Sequence, residues 1–562
     1  MRLIDTTTLK LREFTAYTTS DYPKYAVLSH TWGDEEVTFQ DMMTEPLPSE
    51  KRGFAKIKAT CELARIDGLN FAWVDTCCID KSSSAELTEA INSMYAWYRA
   101  SETCYAFLED LESTTEISAS SDFAKCRWFT RGWTLQELIA PTELKFYDKN
   151  WVYRGSKHDL AVTLKGITRI PIAILKREQE LTTKSVAQRM SWAAFRETTR
   201  IEDEAYCLLG IFGIHMPLIY GEGFQAFQRL QQEIVKSIGD MTILAWGSVQ
   251  GGQGSSEGLQ GLFAPSPDAF WIPGVINCLP SLPDITITTR GLRVSRNTWM
   301  PLWIHGTTYY LIVGAFSPWT ERVSIMQSSS VSALRLSKIG PGIFLRTGLD
   351  TEVPVDALYA QHHQSEYYLL TDIPSQINDI YVGYRKHSLH VEVNKTFHVE
   401  DAVPHSLWDD ADKIFLRESA WQPHARIHYN VVLGVRFKGI GDFSAIEVVV
   451  LLDLSSHLPS LIIFQASQAP RLVSKLFGPM SKEHSMMLAD LEHLNDSETS
   501  LESFVTVSTD RGPARITPVL TETEDVFLSS EEEGSAIPVA NLQLQIQDIG
   551  DSADSQLVTG EK

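Results

Sequence analysis

Positive charge is scarce in this sequence, and the deficit argues against one large class of functions. The 562 residues contain 49 lysines and arginines against 71 aspartates and glutamates, which gives a formal net charge of -22. No run of basic residues stands out against this background. Proteins that bind nucleic acids neutralise phosphates with clustered lysines and arginines. We therefore expect no nucleic-acid partner.

Long apolar runs and cysteines are scarce as well. The longest apolar stretches, residues 206–214 and 446–452, have about half of the ~20 residues that a membrane-spanning helix needs. Residues 1–10 lack the apolar core of a signal peptide. Seven cysteines without regular spacing are typical of reduced thiols rather than of a disulfide framework. These features predict a cytoplasmic protein without a membrane span.

The chain is too long for a single core, and its composition changes along its length. Strand-like and helix-like segments alternate first, helical periodicity follows, and a linker rich in glycine and serine separates both from a β-rich part and an acidic end. The predicted domains are an α/β domain at 1–160, its helical extension at 161–246, the linker at 247–261, a mostly β domain at 262–470, and a mixed, largely disordered acidic tail at 471–562.

Four short apolar runs in the first domain predict strands. They cover residues 25–29, 71–75, 104–108 and 144–147, with amphipathic helices expected between them and residues 1–24 as an extended lead-in. Such alternation favours a parallel sheet between helices, and ligands of these sheets bind at the carboxyl ends of the strands. The loops after Ser29, Asp75 and Leu108 leave from that edge, so we expect functional residues there.

Three motifs in this domain resemble the fungal heterokaryon-incompatibility (HET) domain in their order and spacing. They are Tyr25-Ala-Val-Leu-Ser-His-Thr-Trp-Gly33, Trp73-Val-Asp-Thr-Cys-Cys-Ile-Asp80 and Arg131-Gly-Trp-Thr-Leu-Gln-Glu-Leu138. Residues 187–193, 202–206 and 220–223 resemble the segment that follows in larger members of that family. The resemblance implies a cytosolic fungal protein of nonself recognition, linked to programmed cell death when genetically different hyphae fuse, a form of innate immunity.

The HET domain is in turn similar to TIR domains. Residues 29–34 lie like the Ser-Phe-Arg-Gly-Glu-Asp loop of plant TIR domains, and residues 132–138 are similar to their Ser-x-Trp-Cys-x-x-Glu-Leu helix. In enzymatic TIR domains the glutamate of this helix serves NAD cleavage, and it corresponds to Glu137. Trp32 replaces the loop arginine, and Thr134 replaces the cysteine. The resemblance implies a flavodoxin/TIR-like fold, with Glu137 as the catalytic residue and NAD as a substrate rather than a cofactor.

One carboxylate suffices for this chemistry. Cleavage of the nicotinamide–ribose bond creates an oxocarbenium-like centre, which a nearby carboxylate stabilises, and the cationic leaving group needs no protonation. Two tryptophans offer ring faces for the bases, and backbone amides near the first loop can approach phosphate. The candidate substrate-binding residues are Ser29, Trp32, Gly33, Asp75 and Trp133.

Each candidate has a structural alternative. Thr134 and Glu137 fit a capping box, in which the carboxylate bonds back to the start of its own helix. Trp133 fits a core position, Gly33 a tight turn, and Asp75 a helix cap.

Other motifs favour structure over chemistry. Cys77 and Cys78 with His30 would form a thiol nucleophile, although buried thiols are more frequent. Adjacent cysteines lack zinc-ligand spacing and His362-His363 stands alone, so we expect no metal. Gly221-Glu-Gly223 suggests a phosphate loop, but Glu222 would repel phosphate, which favours a helix start.

Two functions remain open at this point. One is a NAD hydrolase that acts as a cell-death effector. The other is a non-enzymatic signalling module that acts by assembly and is gated by the β-rich domain. Both are compatible with a homo-oligomer formed through the HET domain and with a protein activator.

Overall fold

The computed structural model describes most of the first 300 residues and shorter segments beyond them. The described ranges are 1–15, 21–247, 260–271, 276–278, 285–295, 302–305, 308–315, 330–340, 342–354, 360–362, 366–373, 389–391, 396–403, 408–409, 413–415, 432–453, 460–477, 503–509, 512–525 and 537–548. Most of the predicted linker, residues 248–259, lies outside them. The chain forms two compact units, the first built mainly from Met1–Met300 and the second mainly from Tyr359–Lys562.

A seven-stranded sheet lies at the centre of the first unit. Its strands are β1 (Arg2–Asp5), β2 (Leu11–Glu13), β3 (Tyr25–His30), β4 (Phe71–Trp73), β5 (Thr103–Phe107), β6 (Leu144–Tyr147) and β7 (Tyr153–Ser156), in the order β2-β1-β4-β3-β5-β6-β7. The neighbours β4, β3, β5 and β6 are parallel, which confirms the predicted parallel sheet. The edges are antiparallel. The expected lead-in therefore contains a hairpin, β1–β2, that extends the sheet through β4.

Continuous apolar composition explains the central strands. Every residue of β3 and of β5 is buried, as expected of strands covered on both faces. The helices of the first unit are α1 (Phe39–Met42), α2 (Arg52–Ile66), α3 (Asp75–Cys78), α4 (Ser84–Ala100), α5 (Arg127–Thr130), α6 (Thr134–Ile139), α7 (Ala161–Thr168), α8 (Ile172–Leu175), α9 (Val186–Ser191), α10 (Asp203–Tyr206), α11 (Leu209–Phe212) and α12 (Gln225–Ser237). Helix α2 packs on β3 and β4, and α6 packs on β3.

The end of α2 shows how local sequence sets the loops. Gly68 takes a left-handed conformation with φ of 76°, which suits glycine. The amide of Gly68 donates to Arg65 O at 3.0 Å, and the amide of Leu69 donates to Ala64 O at 2.7 Å. These two bonds form a Schellman motif, which satisfies carbonyls that the helix end leaves open. The cap turns the chain into β4.

Beyond residue 280 most described residues form strands. They are β8 (Ile285–Thr288), β9 (Gly291–Ser295), β10 (Leu302–His305), β11 (Thr308–Ala315), β12 (Ser330–Gly340), β13 (Ile343–Pro354), β14 (Ala360–His362), β15 (Glu366–Leu369), β16 (Leu389–Val391), β17 (Phe397–Val403), β18 (Trp408–Asp409), β19 (Ile414–Phe415), β20 (Val432–Gly439), β21 (Glu447–Asp453), β22 (Ser460–Gln465), β23 (Val505–Thr509), β24 (Gly512–Asp525) and β25 (Ile537–Asp548), with one helix, α13 (Pro470–Phe477). Within the second unit, β17-β20-β21-β22 and β18-β19-β16-β25-β24-β23 form two sheets. The predicted β-rich part is confirmed.

The prediction of a largely disordered tail is wrong for the residues in β23, β24 and β25. Strands β24 and β25 pair antiparallel along twelve positions, from Ala514–Asp548 to Asp525–Ile537. Leu542 and Leu544 are buried, so apolar residues alternate with polar ones at the period of a strand. Acidic composition concealed this alternation. Residues 526–536 and 549–562 lie outside the described ranges.

No helix in the described ranges combines the length and the apolar character that crossing a bilayer requires.

The close approach of α11 to α4 requires Gly210. A Cβ atom at this position would lie 2.0 Å from the Tyr95 Cβ atom, far inside van der Waals contact. Although alanine is the better helix former, we expect Gly210→Ala to destabilise the protein by about 3 kcal/mol because the helices must separate. Thermal unfolding measures this. Gly247→Ala is the control, since no atom lies within 4 Å of its added Cβ. Equal melting temperatures would contradict the packing.

Candidate active site

A cavity of about 280 Å³ opens at the carboxyl ends of β3 and β4. Its walls come from the loops after these strands, from α4, from α6 with the segment before it, and from the helical extension. The lining residues are His30, Trp32, Asp75, Ile79, Lys81, Leu87, Ile91, Met94, Arg131, Trp133, Thr134, Glu137, Thr199, Arg200, Asp203 and Tyr220. Four of the six predicted site residues, Trp32, Asp75, Trp133 and Glu137, line this cavity.

Glu137 is buried and bonded to the central strand. The Ser29 hydroxyl, at the end of β3, donates to Glu137 Oε2 at 2.5 Å. The indole nitrogen of Trp128 in turn donates to Ser29 Oγ at 2.8 Å. This hydrogen-bond chain runs from α5 through β3 to α6. Ser29, a predicted site residue, therefore positions the carboxyl group from β3 and does not itself line the cavity.

The capping-box interpretation of Glu137 is wrong. The residue before the helix, Trp133, already has helical backbone angles, with φ of -62° and ψ of -34°, so Thr134 lies inside α6. The Thr134 hydroxyl donates to Trp128 O at 2.5 Å and to Arg131 O at 2.9 Å, and no side chain caps the helix. The Glu137 carboxyl group is bonded to Ser29 of β3 rather than to the start of its own helix.

Burial decides the charge of Glu137. Removal from water raises its pKa to about 8, and the negative charge of Asp75 acts in the same direction. The bond from Ser29, the nearby Tyr98 hydroxyl and the positive charge of Arg131 offset part of this rise. A pKa of about 8 leaves the carboxyl group mostly protonated at pH 7.

The first loop is held by polar contacts around Trp32. Its indole nitrogen donates to Asp75 Oδ2 at 2.8 Å, and Lys81 Nζ lies 3.4 Å from the centroid of its ring. Desolvation of its ammonium group lowers the pKa of Lys81, although the residue as a whole is exposed. The His30 ring lies between two carboxylates, 3.7 Å from Glu36 Oε2 and 3.9 Å from Asp75 Oδ1. Within the described part of the chain, neither of its nitrogens has a hydrogen-bond partner.

Gly33 lies outside the cavity lining, and its amide is already bonded. It donates to Glu36 Oε1 at 2.8 Å, and Lys56 Nζ donates to the same oxygen at 2.7 Å. Burial alone would raise the pKa of Glu36, but His30, Lys56 and the Gly33 amide lower it to about 2. A carboxylate of the protein thus takes the contact that we expected for a phosphate.

The helical extension supplies residues that the sequence analysis did not assign. The Tyr220 hydroxyl donates to Asp203 Oδ1 at 3.0 Å, and the Trp133 side chain also acts on the Asp203 carboxyl group. Burial raises the pKa of Asp203. The Arg200 guanidinium lies 4.4 Å from the centroid of the Tyr220 ring. The motifs at 202–206 and 220–223 are the sequence signal for these residues, although by themselves they indicate only the family resemblance.

The Gly221-Glu-Gly223 segment holds a carboxylate rather than open donors. The amides of Gly221 and Gly223 donate to Glu202 Oε1 at 2.7 and 3.2 Å, and α12 begins two residues later. This supports the helix-start interpretation over the phosphate loop.

The remaining thiol and metal hypotheses also have a structural outcome. Cys77 is fully buried, and its thiol faces Val74 O. The adjacent Cys78 thiol and burial raise its pKa well above the usual value, so the buried-thiol interpretation is supported. No group of three or more potential metal ligands occurs in the part of the chain that the structure describes. His363 lies outside that part.

Comparison with known proteins identifies part of the chain. Residues 25–125 match the family model described as heterokaryon incompatibility protein (HET), and residues 225–282 match a domain of unknown function, DUF8212. Over 226 residues the chain is 49% identical to vegetative incompatibility protein HET-E-1 of Podospora anserina. The aligned region covers 39% of this chain and 16% of that relative. No solved structure matches. The predicted HET domain is confirmed.

The raised pKa of Glu137 makes folding pH-dependent. The protonated group stabilises the fold fully below its usual value of 4.5, and this contribution is lost as the pH rises through about 8. We expect Glu137→Gln, which stays neutral, to raise the free energy of unfolding at pH 8.5 by about 2 kcal/mol and to raise it less at pH 5. The melting temperature should rise accordingly. Calorimetry at both pH values checks this. The exposed Glu62→Gln should show no such difference; a Glu137→Gln effect equal at both pH values would contradict the assignment.

Proposed function

We propose that this protein, whose residues 25–125 form a HET domain, is a vegetative-incompatibility effector that hydrolyses NAD and thereby triggers cell death. The relative's name supports the incompatibility role. The observation that carries the reaction is the buried Glu137 carboxyl group in a cavity lined by tryptophans and cations. Because the chain spans only 16% of that relative, the role of the whole protein is part of the proposal.

The strand order supports a flavodoxin/TIR-like assignment. In chain order the parallel strands are β3, β4, β5 and β6, and their order in the sheet is second, first, third, fourth. This matches the beginning of the flavodoxin-like order 2-1-3-4-5, in which ligands bind where the chain changes direction, between the first and third strands. Ser29, one residue before the end of the first of these strands, bonds Glu137, which supports a ligand site at the carboxyl edge of this sheet.

The cavity suits one half of a dinucleotide. Its volume of about 280 Å³ lies just below the roughly 300–1,000 Å³ of drug-sized ligand sites. One side of the Trp32 ring carries the Lys81 ammonium group, which would repel a cationic pyridinium. We therefore place the nicotinamide riboside beside Trp133 and Glu137. Lys81, Arg131 and Arg200 line the cavity and attract the phosphates.

The reaction needs the ionised form of Glu137. The positive pyridinium lowers the pKa of a neighbouring carboxyl group, so substrate binding releases its proton. The C1′–N bond then breaks with its electron pair passing to nicotinamide, and the carboxylate stabilises the positive charge that develops on the ribose. Water adds to C1′ and gives its proton to Glu137. The products are nicotinamide, ADP-ribose and a proton.

Loss of this carboxylate should abolish turnover. We expect Glu137→Gln to reduce nicotinamide release from NAD at least 100-fold, since a single group that stabilises the transition state contributes about that much. Chromatography of released nicotinamide from the purified, oligomerised chain measures it, and Glu62→Gln should keep the wild-type rate.

The buried Ser29–Glu137 bond also favours a second candidate, a structural acid in a non-enzymatic module that acts by assembly. An undiminished rate in Glu137→Gln would refute the catalytic role. Cell death that persists in fungal cells expressing Glu137→Gln, without nicotinamide release, would establish the assembly module instead.

The pH dependence should follow the ionisation of the free site. Because only the carboxylate stabilises the ribosyl cation, kcat/KM should rise about tenfold per pH unit up to the pKa of about 8 and level off above it. Initial rates between pH 6 and pH 9 measure this profile. A kcat/KM that falls between pH 6 and pH 8 would contradict the mechanism.

A further inference from the structure

A second cavity, of about 190 Å³, lies in the first unit and shares no lining residue with the Glu137 cavity. Three arginines, Arg99, Arg177 and Arg189, line it, so we call it the arginine cavity. Glu180 is the one carboxylate among its lining residues. Neither the function proposed above nor the sequence motifs assign it a role.

Arg189 is the buried member of this group. Only 4% of its surface is exposed. One guanidinium nitrogen, Nη1, donates to Ile211 O at 3.1 Å, whereas Nε has no partner within the described ranges. Asp240 acts on its charge without forming an ion pair, and its oxygens accept bonds from the amides of Val186 and Thr242. A buried guanidinium group without a paired anion is unfavourable. An anion that enters the cavity would therefore stabilise it.

The other two arginines line the same cavity. Arg99 and Arg177 are exposed and, in the described part of the chain, form no ion pair; Arg177 Nη1 donates to Thr142 Oγ1 at 2.6 Å. The charges of all three arginines act on the Tyr95 phenol, which also lines the cavity, and the Glu180 carboxylate acts in the opposite direction. Three positive charges against one negative charge give the cavity a positive balance, which favours an anion.

We propose that the arginine cavity binds a phosphate group, either inorganic phosphate or the phosphate of a small sugar ester. Planar guanidinium groups bind phosphate oxygens in pairs and do so better than ammonium groups. A volume of about 190 Å³ admits a phosphate with one sugar but is small for a dinucleotide. The site is therefore distinct in ligand size from the cavity at Glu137.

The site is placed to act on the first cavity. Helix α4 contributes Met94 to the Glu137 cavity and Tyr95 to the arginine cavity, and α6 contributes Glu137 to the first and Ile139 to the second. A phosphate that draws the arginines together therefore acts on α4 and α6, which both line the Glu137 cavity as well. This regulatory consequence rests on the function proposed above, whereas phosphate binding does not.

Calorimetric titration of the full chain with inorganic phosphate, at constant ionic strength set by chloride, tests the site. We expect saturable binding that the double variant Arg99→Ala, Arg177→Ala weakens at least tenfold. Both residues are exposed, so this variant should fold; its unligated melting temperature checks that. The matched control is the double variant Arg52→Ala, Arg65→Ala, which removes the same two charges from the exposed surface of α2, where neither residue lines a cavity.

The outcomes separate the ligand sources and the two proposals. Ribose 5-phosphate that binds more tightly than phosphate, with ribose inactive, identifies a sugar ester; equal or weaker binding identifies free phosphate. Absence of saturable binding, or equal weakening by the control variant Arg52→Ala, Arg65→Ala, would overturn the proposal. Phosphate binding without nicotinamide release would refute only the NAD reaction, and the reverse result would refute only the arginine cavity.

Discussion

The hydrogen bond between Ser29 and Glu137 is the interaction on which the candidate site depends. It joins positions 108 residues apart, at the end of β3 and on α6. Trp128 fixes the serine hydroxyl from the other side. The carboxyl group is thereby held in a place where burial raises its pKa to about 8. Such a group destabilises the fold when it ionises. The packing of the strands and helices around it offsets this cost.

The helical extension completes this site. Asp203 accepts a hydrogen bond from Tyr220, and Arg131 donates to Thr199 across the cavity at 3.2 Å. The HET family model ends at residue 125, before Glu137 and before Asp203. The alignment with the Podospora relative spans 226 residues, more than twice the 101 residues from 25 to 125. Residues on both sides of position 125 line the cavity, so the residues matched by the HET model do not form it alone.

Net charge concealed the local electrostatics of this chain. An excess of 22 acidic residues argued against an extended basic surface. Yet Lys81, Arg131 and Arg200 line one cavity and three other arginines line the second. Binding of one small anion needs only two or three convergent cations, and composition averages them away. Predictions from net charge therefore hold for large polyanions and not for single phosphate groups.

Local patterns determined much of the fold. The apolar runs at 25–29 and 104–108 specified buried parallel strands, and Gly68 specified the end of α2, because these features depend on neighbours a few residues away. The family motifs directed attention to Glu137 and to the loop that contains Trp32. Tertiary structure alone brought Ser29, Trp128 and Asp203 to these residues and excluded the capping box. It also replaced a predicted disordered tail by strands around Leu542. Hydrogen bonds between positions about 100 residues apart arise from the packing of whole elements, and no spacing in the sequence encodes them.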